Sequence, residues 1–187
     1  GGVGIFVSEE FSESACVEFD AFFVEEKFEG ITLTLPDFPL ENGKKNLVIL
    51  TVYRQPGEAN VREFHTILES WLEQYDQRSN EIIITGDMNL DLLRYETHTG
   101  TSDYLDLLIS HNLLPAITIP TRIKHRSATL IDHIFARTQY SLTGVLVSEL
   151  SGSHGYTDHY PIFCVIDKNK TVTSMKQTCT KKYFTNE

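Results

Sequence analysis

Cysteine is scarce in this chain: Cys16, Cys164 and Cys179 are the only three among 187 residues. They are odd in number, far apart and in no metal-ligand spacing, which excludes a disulfide framework and a thiolate zinc site and leaves reduced thiols. Long apolar runs are missing too. None approaches the roughly 20 residues that a membrane span needs, and no basic segment followed by an apolar core marks a signal peptide. The chain is therefore read as intracellular, with no membrane partner. Positive charge is in short supply, with 16 Lys and Arg against 26 Asp and Glu and a formal net charge of -10. That argues against a broad basic face for nucleic acid, because phosphate contacts supply most of such affinity. A polyanionic substrate would require a metal or a local cluster to offset the field. The Asn169-Lys170-Thr171 sequon has no companion sign of secretion.

What is present reads as one folded domain. The chain is 41% hydrophobic and 22% charged, and its length fits the usual range of about 50 to 250 residues per domain. It opens at Gly1 rather than Met and runs directly into "GGVGIFV", Gly1 to Val7, read as a strand; such a start suggests a fragment. Ile31 to Leu35 and Leu47 to Tyr53, either side of the Pro- and Gly-bearing segment from Pro36 to Lys45, predict a hairpin-like meander. Asn60, with Glu63 three residues on, predicts a capped helix start. Val61, Phe64, Ile67, Leu68, Trp71, Leu72 and Tyr75 follow at helical spacing, a stripe explained by core packing. Glu81 to Gly86 predicts a short strand buried on both faces, and Ser102 to Asn112 a second helix from a Ser cap. Thr129 to Ala136, Leu142 to Ser148 and Tyr160 to Ile166 predict three more strands. The domain then covers residues 1–167, and 168–187, polar and lysine-bearing, reads as a linker or disordered tail. The expected class is a layered α/β sheet protein.

The chemistry-bearing residues fall at strand ends. In "IIITGDMNLD" the apolar strand stops at Gly86, so Asp87 and Asn89 sit at its carboxyl edge, where open α/β folds place ligands. An Asx turn closing the strand explains the same residues on backbone grounds alone. In "ATLIDHIFA" a period of two puts Leu130, Asp132 and Ile134 on one face and Ile131, His133 and Phe135 on the other. An acid between Leu and Ile is partly buried and needs a partner. "GYTDHYPIF" offers one, since Asp158 and His159 stand just ahead of an apolar strand, and a carboxylate that orients an imidazole is a recurrent catalytic device. His65, His98, His111, His125 and His154 are read as packed or surface residues. Three acids, an Asn and a His at strand ends suit a hard divalent cation and a phosphate. Metal-assisted attack of water on a phosphodiester would also offset the negative charge of the chain.

Taken in order, "TGDMNLD", "TLIDHIF" and "YTDHYPI" resemble the endonuclease/exonuclease/phosphatase (DNase I-like) family. With "LTVYRQP" and "IPTR", Ile119 to Arg122, the chain looks most like the endonuclease domains of LINE-type non-LTR retrotransposons, and its closing "KKYFTNE" looks like a linker toward a reverse transcriptase. The resemblance implies a four-layer αββα sandwich with the site at one end of two sheets. It also implies an enzyme that uses Mg2+, or Mn2+ in its place, to nick DNA in the nucleus and expose a 3′-hydroxyl for reverse transcription. Asp87 would activate the attacking water, with Asn89 holding that water or the phosphate. Asp132 would orient His159, which contacts the scissile phosphate and steadies the transition state. Asp158 would sit at the metal, and Thr121 on the substrate side. Tyr53 would reach the phosphate, its alternative being a half-buried strand aromatic.

The departures from the family pattern are specific. That pattern begins with a strand carrying a metal-site Asn and then a Glu, both ahead of the "GGVGIFV" strand, and neither is in this chain. The resemblance therefore implies that the first strand and helix, and the principal metal carboxylate, are missing. Glu9, Glu10 and Glu13 follow that strand and do not replace them. Met88 stands for the usual Phe and Thr157 for the usual Ser, swaps that keep bulk and hydroxyl. The alternative to an active endonuclease is an impaired remnant serving as a scaffold or interaction module. A phosphoinositide or phospholipid substrate is the weakest reading, for want of extra basic loops.

Overall fold

The computed structural model describes residues 2–13, 15–18, 22–40, 43–76, 79–124, 126–146 and 157–171. A short helix, α1 (Glu9–Ser12), leads to strands β1 (Cys16–Glu18), β2 (Phe23–Val24), β3 (Phe28–Leu40) and β4 (Gly43–Arg54). Helix α2 (Val61–Tyr75), strand β5 (Asn80–Asp87), a 3-10 turn (Leu92–Arg94) and helix α3 (Thr99–Ser110) follow. The remaining strands are β6 (Leu114–Pro115), β7 (Arg122–Lys124), β8 (Ser127–Thr129), β9 (Asp132–Arg137), β10 (Tyr140–Leu146) and β11 (Ile162–Thr171).

The meander expected around Pro36 is the antiparallel β3–β4 hairpin, longer than the apolar runs that announce it and shifted in register between Leu35 and Phe38. β5 lies parallel to β4, which requires a crossover, and α2 supplies it. β9 pairs antiparallel with the free edge of β5, and the seven-stranded sheet runs β1-β3-β4-β5-β9-β6, with β2 also on β3.

The pleat decides what meets the helices. Val48, Leu50, Val52 and Arg54 alternate along β4, each at most 1% exposed. Their ladder partners on β5 and β9, among them Ile82, Ile84, Phe135 and His133, share that face. The α2 stripe is buried as its spacing predicts, with Trp71 donating its indole N–H to Thr32 Oγ1 at 2.9 Å. Tyr104 of α3 stacks on His133 and meets Phe135 edge-on. Each such fully buried side chain contributes roughly 1.5–3 kcal/mol of hydrophobic free energy.

On the other side β10 and β11 form a second, antiparallel sheet. Leu142, Ile162, Cys164 and Ile166 turn toward the core, while Phe163 and Val165, in the opposite phase, are 45% and 55% exposed. Gly144 allows a close approach, since a Cβ there would lie 2.0 Å from the Ala116 carbonyl oxygen. Among the described residues, helices, large sheet and small sheet make three of the four expected layers.

Several local expectations are corrected. Residues 2–7 form no strand: Ile5 and Val7 pack against the core, Val3 is half-exposed and Phe6 is fully exposed, so the period of two is there without a ladder. Asn60 does cap α2 by position, but its side chain makes no capping bond and Glu63 pairs with Lys27 instead. α3 begins at Thr99, earlier than Ser102, because His98 Nδ1 accepts the Thr101 N–H. The strand expected from Thr129 to Ala136 is broken at Leu130 and Ile131, whose N–H groups go to Asp91 Oδ1 and Thr121 Oγ1. β11 starts at Ile162, two residues late, and runs to Thr171, into the stretch read as tail. Residues 172–187, His125 and His154 lie outside the described residues, as does Cys179; Cys164 is a free thiol.

Candidate active site

Three adjacent strands set out the site in one row. Tyr53 of β4 pairs with Asp87 of β5, and Asp87 with Asp132 of β9, all on the face turned away from the helices. Gly86 makes the row feasible. Its φ is +136°, and a Cβ there would stand 1.8 Å from the Val52 carbonyl oxygen, so only glycine lets β4 and β5 close up just before Asp87. Beyond the strand Asn89 takes φ 48° and its N–H donates to Asp87 Oδ1 at 3.1 Å. The Asx turn and the strand-end acid are thus one structure.

Asp132 is the hub. Both of its oxygens lie 3.0 Å from His159 Nδ1, which fixes the imidazole tautomer with the proton on Nδ1. Asp132 Oδ2 also accepts the Thr121 hydroxyl at 2.7 Å, and that hydroxyl oxygen accepts the Asp132 N–H at 3.0 Å. Thr121, expected on the substrate side, is instead fully buried against Asp132. His159 Nε2 faces Asp158 Oδ1 at 4.0 Å. Asp158 Oδ2 accepts from Arg122 Nε at 2.8 Å, and the guanidinium holds its carboxyl below the ordinary carboxylate range. His159 is tied in further by its N–H, which donates to Thr157 Oγ1 at 3.1 Å.

Asp87, Asp132 and His159 offer ligand atoms that all lie within 4.8 Å of one another. Asp158 stands across His159 and is not in that group. Burial, and then the charge of Asp132, push the Asp87 carboxyl above its ordinary range. Two carboxylates held side by side in this way are relieved by a cation. The oxygen-rich donor set fits Mg2+ or Mn2+. Tyr53 is half-buried beside Asp87 and lines a shallow hollow with Phe23, Lys27 and Gln55.

Two residues at the back of the row were given no role from the sequence. His133 is buried, with Nε2 donating to the Leu130 carbonyl at 3.0 Å and Nδ1 3.3 Å from the Tyr104 hydroxyl; burial pulls its pKa down to about 4. Arg54 is 1% exposed. Its Nε donates to the Met88 carbonyl at 2.7 Å and Nη2 to the Asn89 carbonyl at 2.8 Å. Nη1 donates to the Gly57 carbonyl and to Asn60 Oδ1, which is why Asn60 makes no helix cap. The signal for Arg54 was its phase: it continues the Val48, Leu50, Val52 stripe.

Helices on one face of a large mixed sheet, a second sheet on the other, and acids with a histidine at one end define a DNase I-like α/β sandwich. Solved structures of this fold include the endonuclease domain of TRAS1, a telomere-specific non-LTR retrotransposon (TM-score 0.59, 13% identity, 86% of this chain and 70% of that one). The 3′ phosphatase NExo from Neisseria, bound to a product DNA hairpin, is another (0.60, 14%, 83% and 71%). A third is an endonuclease/exonuclease/phosphatase family protein from Leptotrichia buccalis (0.58, 13%, 83% and 61%). This chain thus spans 61% of the length of the Leptotrichia protein. The sequence profile of the endonuclease-reverse transcriptase family matches residues 47–163, and the chain belongs to that family. No curated protein sequence matches it.

Proposed function

We propose that this chain is a metal-dependent phosphodiester hydrolase that nicks DNA, serving a retrotransposon by exposing a 3′-hydroxyl in nuclear target DNA for its reverse transcriptase. The observation that carries the reading is the half-buried Asp132–His159 pair standing beside Asp87. Family membership and the TRAS1 and Neisseria neighbours support it.

Asp87, whose proton affinity is raised, takes a proton from the attacking water. Asn89 donates its Nδ2 to the Arg54 carbonyl at 2.7 Å, which leaves Oδ1 to hold the same water. His159, its Nδ1–H on Asp132, presents Nε2 to the scissile phosphate; when protonated it donates there, and Asp132 stabilises the imidazolium. Thr121 keeps Asp132 in place for this. Tyr53, next in the row, reaches toward the phosphate. A Mg2+ or Mn2+ ion held by the Asp87 and Asp132 carboxylates, with Asp158 close by, would supply positive charge against the phosphate. DNA approach is favoured by the β7–β8 hairpin, which carries Arg122, paired with Asp158, and Lys124 and Arg126 toward its turn, in an otherwise acidic chain.

The test is nicking of supercoiled plasmid in Mg2+. Asp87→Ala and His159→Ala are expected to lower the rate by about 10²–10⁴-fold. Parental rates in both variants would remove these residues from the mechanism.

A further inference from the structure

We infer that Arg54 is the positioning residue for Asn89, setting the backbone and amide orientation with which Asn89 serves the attacking water. The inference deepens the nuclease reading and, for its kinetic test, rests on it.

Arg54 closes β4, one residue beyond Tyr53, and therefore points to the opposite face, into the helix layer, where its guanidinium lies 6.0 Å from the Phe64 ring centroid. Among the described residues, every hydrogen-bond acceptor it meets is a carbonyl or an amide oxygen, from Met88, Asn89, Gly57 and Asn60, and none is a carboxylate. A buried guanidinium without a paired carboxylate is expensive, and core packing alone would be served better by an apolar side chain. A rigid fork of N–H donors does what an apolar residue does not. Nε and Nη2 take two consecutive carbonyls, those of Met88 and Asn89, while Nη1 ties them to the β4–α2 loop.

The grip is reciprocal, since Arg54 donates to the Asn89 carbonyl and the Asn89 amide donates to the carbonyl of Arg54 at 2.7 Å. These two bonds hold a non-glycine residue at φ 48° and decide which way its carboxamide faces. Nδ2 is committed to Arg54, and Oδ1 has no protein partner among the described residues. The Asn89 N–H then bonds Asp87 Oδ1, so the chain of control runs from Arg54 through Asn89 to the acid. Lysine, a point charge without the fork, keeps the sign and loses the grip.

The experiment compares the parent chain, Arg54→Lys, Asn89→Ala and the double variant in plasmid nicking. Near-UV circular dichroism confirms folding at the assay temperature. Arg54→Lys is expected to lower kcat at least tenfold with KM for DNA within threefold, and to change kcat less than twofold when Asn89 is already Ala. Independent, multiplying effects would overturn the inference, as would an unchanged kcat in Arg54→Lys. Amide NMR of the parent supplies a readout that does not depend on activity. The Asn89 Nδ2 protons, assigned by their loss in Asn89→Ala, are expected to be shifted from the free-asparagine position and slow to exchange. Free-asparagine behaviour would sink the Arg54 inference even where nicking is normal. A parent that does not nick, with Asn89 protected, would sink the nuclease reading and leave the positioning intact.

Discussion

Asp87 is kept where its own charge is unwelcome, half-buried and beside a second carboxylate. Its folded pKa lies above the unfolded one, so the stability tied to this group is present below the unfolded pKa and is lost as pH rises through the folded one. At neutral pH it therefore weakens the fold. Asp87→Asn is expected to abolish nicking and raise the melting temperature at neutral pH, with the gain shrinking in acid as the native Asp87 becomes protonated; thermal scans at several pH values check this. His133 carries the opposite sign. Its pKa is lowered from 6.5 to about 4, so its stabilising effect is complete above pH 6.5 and is lost as pH falls toward 4. The full shift corresponds to a loss on the order of 3 kcal/mol. His133→Phe is expected to flatten denaturation midpoints across that window, at a uniform penalty of about 1–3 kcal/mol for the unpaired Tyr104 hydroxyl, since the Leu130 carbonyl keeps the Leu92 N–H.

Individual elements were legible to different degrees. The α2 stripe and the β3–β4 hairpin follow from local pattern, because spacing alone decides which side chains of a helix or strand share a face. Element ends followed tertiary demands instead. Asn60 has the chemistry of a cap, yet its side-chain oxygen is taken by Arg54; the β8–β9 break exists because distant side chains, Asp91 and Thr121, accept the N–H groups that a continuous strand would use. At Gly86 the demand is steric. Gly86→Ala would drive a Cβ against the Val52 carbonyl in a backbone region that L-residues avoid. A loss of about 3 kcal/mol or more is expected, measured by urea unfolding, together with loss of the Tyr53–Asp87 register.

Across the whole molecule the problem is charge. On the proposed reading, a chain at -10 would meet a polyanion through the β7–β8 hairpin, whose Arg122 pairs with Asp158 at the site. Replacing Lys124 and Arg126 together by alanine is expected to weaken DNA affinity similarly for unrelated sequences and to reduce the slope of log affinity against log salt by about 2, roughly 1 for each phosphate contact removed. Filter binding across a salt series reads both. An unchanged slope would place the DNA elsewhere.

Alternation and residue chemistry, which are local, settled the α/β class, the helix stripe, the strand-end placing of Asp87 and Asn89, and the need of Asp132 for a partner. The segment holding Asp158 and His159 was expected to supply that partner, and in the packed chain His159 stands there. Asp132 of β9 and His159, which precedes β11, are joined although 27 residues separate them, Thr121 was moved from the substrate's side to the back of Asp132, and Asp158 was given to Arg122. The reason is that hydrogen-bond partners are allotted by the fold's geometry, not by position along the chain. A buried guanidinium such as Arg54 reads as one more charge until the carbonyls it gathers are brought to it.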